Sequence, residues 1–219
     1  MAMHRRQFMK LGLLGGAAAL LPVAPAIAAS RKNATPAGPV IPSFAQPLTI
    51  PPVLQPVRSD ATTDYYQMTQ EEAQVEILPG LKTTIWGYNG SFPGPTIVAR
   101  RGRQAVLTVT NKLPLLGATK AAYVCGDLST MPMPGVPALS PAQKASATVT
   151  HLHGGVTPPD SDGYTTDLVP TGTSRDYHYP NNQRAALLWY HDHAMDTTAY
   201  HVYMGLAGMY LLHDDEETA

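Results

Sequence analysis

A single cysteine, Cys125, stands in this 219-residue chain. One thiol closes no internal disulfide. Its neighbours Val124 and Gly126 offer no metal-ligand spacing, so Cys125 reads as a partly buried structural thiol. Charge is scarce as well. Asp, Glu, Lys and Arg make up 14% of the residues, and 15 basic side chains against 16 acidic ones leave a formal net charge of −1. With no basic stripe, nucleic acid and acidic membrane surfaces are excluded as electrostatic partners. Long apolar runs are missing too. The run Leu11 to Leu21 is closed by Pro22 and is shorter than the roughly 20 residues that span a bilayer, which argues against a stable membrane anchor. No stretch keeps a 3.6-residue period over more than two turns, although Met195 to Val202 fits a short helix.

What is present points to β structure. Hydrophobic residues reach 44%, with 21 prolines and 18 glycines, a composition that suits one buried domain with many turns. At the N-terminus, Arg5-Arg6-Gln7-Phe8-Met9-Lys10 precedes the apolar run, and Ala26-Ile27-Ala28 is a small-x-small cleavage site. The arginine pair fits a twin-arginine signal over residues 1–28, with His4 where Ser or Thr is usual. The expected destination is therefore the periplasm or the cell exterior. Residues 29–60, with pieces such as Pro51-Pro52-Val53-Leu54-Gln55-Pro56, read as an extended Pro/Ala-rich arm laid on a surface.

Short β-like runs follow at Gln74 to Leu78, Lys82 to Tyr88, Thr96 to Arg100, Ala105 to Asn111, Thr148 to His153, Arg175 to Tyr179, Leu187 to His191 and Gly205 to His213. In the fourth run Ala105, Leu107 and Val109 share one face. Asn89 to Pro95 and Pro158 to Gly163 are turns, and Leu113 to Gln143 reads mostly as loop. This pattern predicts an all-β fold, a β-sandwich with Greek-key connections.

Histidine is distributed unevenly. Four of the eight histidines occupy two His-x-His pairs, His151-Leu152-His153 and His191-Asp192-His193, each in a strand-like run. Residues i and i+2 of a strand project to one face, roughly 6.5–7 Å apart at Cα. That spacing suits imidazoles splayed toward neighbouring ions better than two chelating one ion. Imidazole is a common ligand of copper and zinc, bound as the neutral base. Gly154-Gly155 removes bulk where a metal cluster or another backbone must come close. Trp189 and Tyr190 supply aromatic packing that stiffens the second strand or simply fills the core. Zinc hydrolases also use His-x-His, but one common pattern needs Asp-His directly after the pair. Here Gly154-Gly155 and Ala194-Met195 follow instead. Zinc is the weaker reading.

The segments His151-Leu152-His153-Gly154-Gly155-Val156-Thr157-Pro158-Pro159-Asp160-Ser161-Asp162-Gly163 and Leu188-Trp189-Tyr190-His191-Asp192-His193-Ala194-Met195 resemble the N-terminal domain of multicopper oxidases. The branch is that of spore-coat laccase, bilirubin oxidase and phenoxazinone synthase. Trp86 to Ile97, Tyr179 to Arg184 and Val202 to Gly208 carry the same likeness, which extends from about Phe44 to Glu216. It implies a cupredoxin-like sandwich over residues 61–216 that binds copper. By position, His151 matches a type 2 copper ligand, His153 and His191 match ligands of one type 3 copper, and His193 matches a ligand of the other. Asp162 matches an acid that assists proton delivery, while its residue type also suits a plain turn position.

In that family eight histidines hold a trinuclear cluster that reduces dioxygen to water, four from this end and four from a C-terminal domain. The later domain also carries a His-Cys-His segment for the type 1 copper. No His-Cys-His occurs in these 219 residues, which stop at Asp214-Asp215-Glu216-Glu217-Thr218-Ala219, about where the family's first domain ends. The expected partner is therefore a set of C-terminal oxidase domains, or a separate chain that completes the cluster. The alternative is a periplasmic copper-sequestering module without catalysis. His178, His201 and His213 reproduce none of the missing motifs and read as surface or structural residues, and Tyr164 to Arg175 departs from the family's sequence.

Overall fold

The computed structural model describes residues 43–44, 46–125 and 138–218, and Gln46–Ala219 cluster as one contact unit. The export signal and the first part of the arm lie outside the described residues. Among the described residues nine strands form: β1 (Arg58–Ser59), β2 (Thr63–Leu78), β3 (Leu81–Tyr88), β4 (Gly94–Arg100), β5 (Gln104–Asn111), β6 (Thr150–His153), β7 (Ser174–Tyr179), β8 (Ala186–Asp192) and β9 (Ala207–His213). The described residues also form the short α-helices α1 (Ala118–Cys125), α2 (Pro141–Lys144) and α3 (Thr198–Met204), and a 3-10 turn at Asp215–Thr218. Among the described residues no helix is long and apolar enough to cross a membrane.

The strands make two sheets. The first runs β1-β2-β5-β7, with β3 folded back on the far half of β2; the second runs β4-β9-β8-β6. Two parallel pairings, β2 with β5 and β4 with β9, require crossovers, so the chain alternates between sheets in the cupredoxin-like manner. Proline-rich Pro52–Leu54 lies along β4, where Leu54 N–H donates to Thr96 O and Thr96 N–H to Pro52 O, both at 2.8 Å. A proline segment suits this edge position, because each proline lacks the N–H that a central strand would need.

Side-chain alternation explains which face of each strand is buried. Ala105, Leu107 and Val109 of β5 are buried together, as their spacing predicts. They meet Leu188, Tyr190, Tyr210 and Leu212 of the second sheet in one core cluster. Fully burying a leucine-sized side chain contributes roughly 1.5–3 kcal/mol. Several core positions are tyrosines, whose hydroxyls need partners once buried. Tyr190 donates to Pro95 O at 2.5 Å, Tyr210 to Asn181 Oδ1 at 2.8 Å, and Tyr177 accepts the N–H of Thr150 at 3.0 Å. Burial pushes the Tyr177 phenol up to about 12, so it stays a neutral partner at physiological pH.

Two sequence readings need correction. β2 begins at Thr63, well before the expected run at Gln74, because its buried face reads Tyr66, Met68 and Gln70. The third position is polar, so the apolar alternation breaks. Gln70 is satisfied instead by side chains: its Nε2 donates to Tyr88 Oη at 3.2 Å and its Oε1 accepts Thr148 Oγ1 at 2.6 Å. The stretch read as loop from Leu113 also holds α1 and the start of α2. The N-cap Ser140 and Gln143 of α2 form a reciprocal capping box, followed by Pro141 at its first position. Cys125 ends α1, but its side chain lies outside what the structure describes.

Candidate metal centre

β6 and β8 pair antiparallel, with Thr150 opposite Asp192, His151 opposite His191 and His153 opposite Trp189. Strand alternation sends Thr150 and Leu152 inward, and likewise Tyr190 and Asp192. His151, His153 and His191 therefore share the outward face, with His193 just past the end of β8 on the same side. Ring centroids lie 5.7 Å apart for His151–His153, 5.5 Å for His151–His191, 5.5 Å for His153–His191, 5.1 Å for His151–His193 and 5.6 Å for His191–His193. Nitrogens of His151, His153 and His191 all come within 4.8 Å of one another.

Hydrogen-bond partners assign the tautomers. Nδ1 of His191 faces the carbonyl oxygen of Asp192 at 2.7 Å, and Nδ1 of His151 faces the carbonyl oxygen of Asp162. A carbonyl only accepts, so both rings carry a proton on Nδ1, which turns Nε2 of each away from the backbone. Nε2 of His191 lies 3.3 Å from Nδ1 of His153. At metal–imidazole distances of about 2.0–2.1 Å, that separation subtends roughly 105–110° at a shared ion, close to a tetrahedral angle. Nδ1 of His193 is buried with no hydrogen-bond partner, unlike the Nδ1 atoms of His151 and His191.

Electrostatics favours the neutral, ligating form. Burial holds His191 below the ordinary histidine value and outweighs its bond to the Asp192 carbonyl; repulsion from His151, His193 and His153 adds to the shift. Burial, then His151, lowers His193 in the same way. An imidazole cluster on a partly apolar face fits a soft-to-borderline cation such as copper or zinc.

The surroundings are less symmetric than the motifs suggested. Trp189 does not fill the core. It is 39% exposed on the outward face and stacks on His191 at 4.1 Å and His153 at 5.3 Å between centroids. Tyr190, one residue on, is fully buried and does the core work. Gly154 and Gly155 make room for core leucines rather than for the cluster: a Cβ at Gly154 would come within 2.9 Å of the Leu188 side chain, and one at Gly155 within 2.8 Å of Leu152. The glycine that presses on the site is Gly163. Its φ is +75°, and a Cβ there would collide with the Thr150 carbonyl and lie 2.9 Å from His151 Cα. That close approach sets the Asp162 carbonyl against His151. The Asp162 carboxylate, half exposed, accepts Thr157 Oγ1 at 2.8 Å and stands 3.7 Å from His151 Nδ1.

Of the remaining histidines, His178 is exposed and His213 pairs with Glu217 at 2.6 Å. His201 is fully buried. Its Nδ1 meets Asp192 Oδ2 at 2.9 Å and its Nε2 meets Ala145 O at 2.9 Å. Asp192, also fully buried, further accepts Val149 N–H at 2.8 Å and Ala194 N–H at 3.1 Å. The motif-based reading passed over this pair. A signal was present: the middle residue of a His-x-His pair on a strand points to the opposite, inward face, where an acid needs a partner.

The family profile described as multicopper oxidase matches residues 69–118 and 143–217. A laccase from Bacillus subtilis is 41% identical over 186 residues, covering 80% of this chain and 34% of that protein. Bilirubin oxidase from Albifimbria verrucaria is 33% identical over 189 residues, covering 83% of this chain and 27% of its own. In structure, a laccase from Pediococcus acidilactici superposes with a TM-score of 0.63 at 28% identity, covering 81% of this chain and 32% of that one. The chain spans about a third of the length of the curated relatives it matches.

Proposed function

Because the chain belongs to the multicopper oxidase family, we propose that His151, His153, His191 and His193 supply one half of a trinuclear copper site in a laccase-like oxidase. The observation that carries this reading is the 3.3 Å hydrogen-bonded approach of His153 Nδ1 to Nε2 of His191 on an outward-facing strand pair. His153 and His191 would share one type 3 ion, His193 would reach the second, and His151 the type 2 ion. Bound copper would supply the redox chemistry by which dioxygen is reduced to water at the expense of a phenolic or similar substrate. The chain's own contribution is to hold four imidazoles at fixed spacing and to keep Asp162 beside His151, where its half-exposed carboxylate can relay a proton from solvent.

A second cupredoxin-like domain bringing four further imidazoles would complete the site. The register places Val98, Leu211 and Leu187 in one row of the outward face, Met209, Trp189 and His153 in the next, and Ala207, His191 and His151 in the third. The apolar rows beside the histidines, with Leu187 67% exposed, suit burial under such a domain. Export through the twin-arginine route, suggested by Arg5 and Arg6, completes the reading, since that route carries folded proteins.

The test is Cu(II) titration of the full chain followed by electron paramagnetic resonance. Imidazole nitrogen hyperfine structure should appear, and the double variant His153→Ala/His191→Ala should abolish it. Copper bound equally well by that variant would refute the site. Copper held tightly by the monomer, with no gain on adding a chain that carries His-Cys-His, would favour sequestration.

A further inference from the structure

Behind the four imidazoles, on the inward side of the same strands, Asp192 ties three parts of the chain together. Its Oδ1 accepts Val149 N–H at 2.8 Å, just before β6, while His193 N–H donates to Val149 O at 2.8 Å. Its Oδ2 accepts Ala194 N–H at 3.1 Å, just after the second histidine pair. One carboxylate thus fastens the entry of the strand bearing His151 and His153 to the exit of the strand bearing His191 and His193. His201 of α3 then braces that carboxylate at 2.9 Å and reaches Ala145 O with its other nitrogen. Nε2 faces a carbonyl, which only accepts, so it carries a proton, and a second proton is held between Nδ1 and the Asp192 carboxylate. The pair is fully buried, and Trp86 lies 5.4 Å from the His201 ring.

We propose that the buried Asp192–His201 pair is a positioning device that sets the relative register and ring orientation of the four metal-directed imidazoles. This rests on the ligand assignment given above. The pair touches neither metal nor substrate and acts through the backbone of Val149 and Ala194. A buried ion pair adds little net stability compared with an apolar replacement, so its value lies in the single geometry it enforces. Removing one partner leaves a buried charge uncompensated and releases the clamp.

The experiment compares the full chain with Asp192→Asn, with His201→Gln, and with Arg103→Gln as a control. Arg103 binds Asp64 at 2.6 Å on the other sheet, so its loss destabilises without touching the clamp. Nitrogen-15 spectra of the metal-free proteins read the tautomer and environment of each imidazole. Asp192→Asn should shift or average the signals of His151, His153, His191 and His193, with the amide spectrum still dispersed, and Arg103→Gln should leave them unchanged. If Asp192→Asn does not fold, His201→Gln, which keeps a donor toward Asp192, gives the same readout in milder form. In the metal-loaded arm, Cu(II) affinity should fall roughly 10–100-fold in the clamp variants, the range typical for groups that orient ligands. Unchanged imidazole spectra, or wild-type affinity in folded clamp variants, would overturn the proposal. A wild-type chain that binds no copper would sink the ligand assignment instead, while the metal-free spectra still decide whether the clamp orients the rings.

Discussion

His151 and His191 stand directly opposite each other in the β6–β8 ladder, with ring centroids 5.5 Å apart. Each ring proton is pinned by a carbonyl, His191 by that of Asp192 and His151 by that of Asp162. The pairing register therefore sets the distance and the backbone sets the tautomer. Neither ring depends on a flexible side chain for its orientation.

Proton competition for His191 and His193 should set in only below about pH 6.5, the ordinary histidine value, so their share of copper binding should be nearly flat around pH 7. His191 and His193 are held below that value by burial, so protons do not compete with metal for them near neutrality. Calorimetric titrations between pH 5.5 and 7.5 check this. A steep loss of affinity already between pH 7.5 and 7 would contradict it.

His201 has the opposite sign. Burial pushes its value down, but the Asp192 charge and the bonds to Asp192 and Ala145 outweigh burial and leave it raised. Its contribution to stability is complete below about pH 6.5 and is lost as pH rises through the raised folded value. Urea unfolding of wild type and His201→Gln should differ most on the acid side and converge as the pH becomes alkaline. A gap that widens with pH would show that the ring is neutral in the fold.

Gly163→Ala should destabilise the chain by more than about 1 kcal/mol, since its φ of +75° and the Thr150 carbonyl both oppose a side chain. The same change should move the Asp162 carbonyl away from His151 and weaken copper binding. Denaturant midpoints together with a copper titration read the two effects. A fully stable alanine variant would contradict the close packing described.

Trp189→Ala should leave stability within about 1 kcal/mol, because the indole is partly exposed. Copper affinity should still drop severalfold as the His153 and His191 rings lose their stacking partner. Thermal melts and copper titration separate the two. A large fall in melting temperature with unchanged affinity would show that Trp189 only packs.

Much of this was legible in the residues themselves. Alternating burial marked the second half of β5, whereas β3 was marked by its β-like run Lys82 to Tyr88 although its last four residues, Ile85 to Tyr88, are all buried. The His-x-His spacing placed its imidazoles on one face for the same geometric reason. The first half of β2 stayed hidden, since Gln70 buries a polar group that only Tyr88 and Thr148, distant in sequence, can satisfy. α1 stayed hidden because eight residues carry too little periodic signal.

Local sequence by itself determined the all-β class, the family and the two His-x-His pairs as the candidate site, because strand alternation and motif spacing are short-range properties. Only the tertiary structure decided that His151 faces His191, that Trp189 lies outside while Tyr190 lies inside, and that Asp192 is clamped by His201. Those facts depend on which strands pair and in what register. Register is set by the packing of the whole core, where a shift of one residue would turn every imidazole inward.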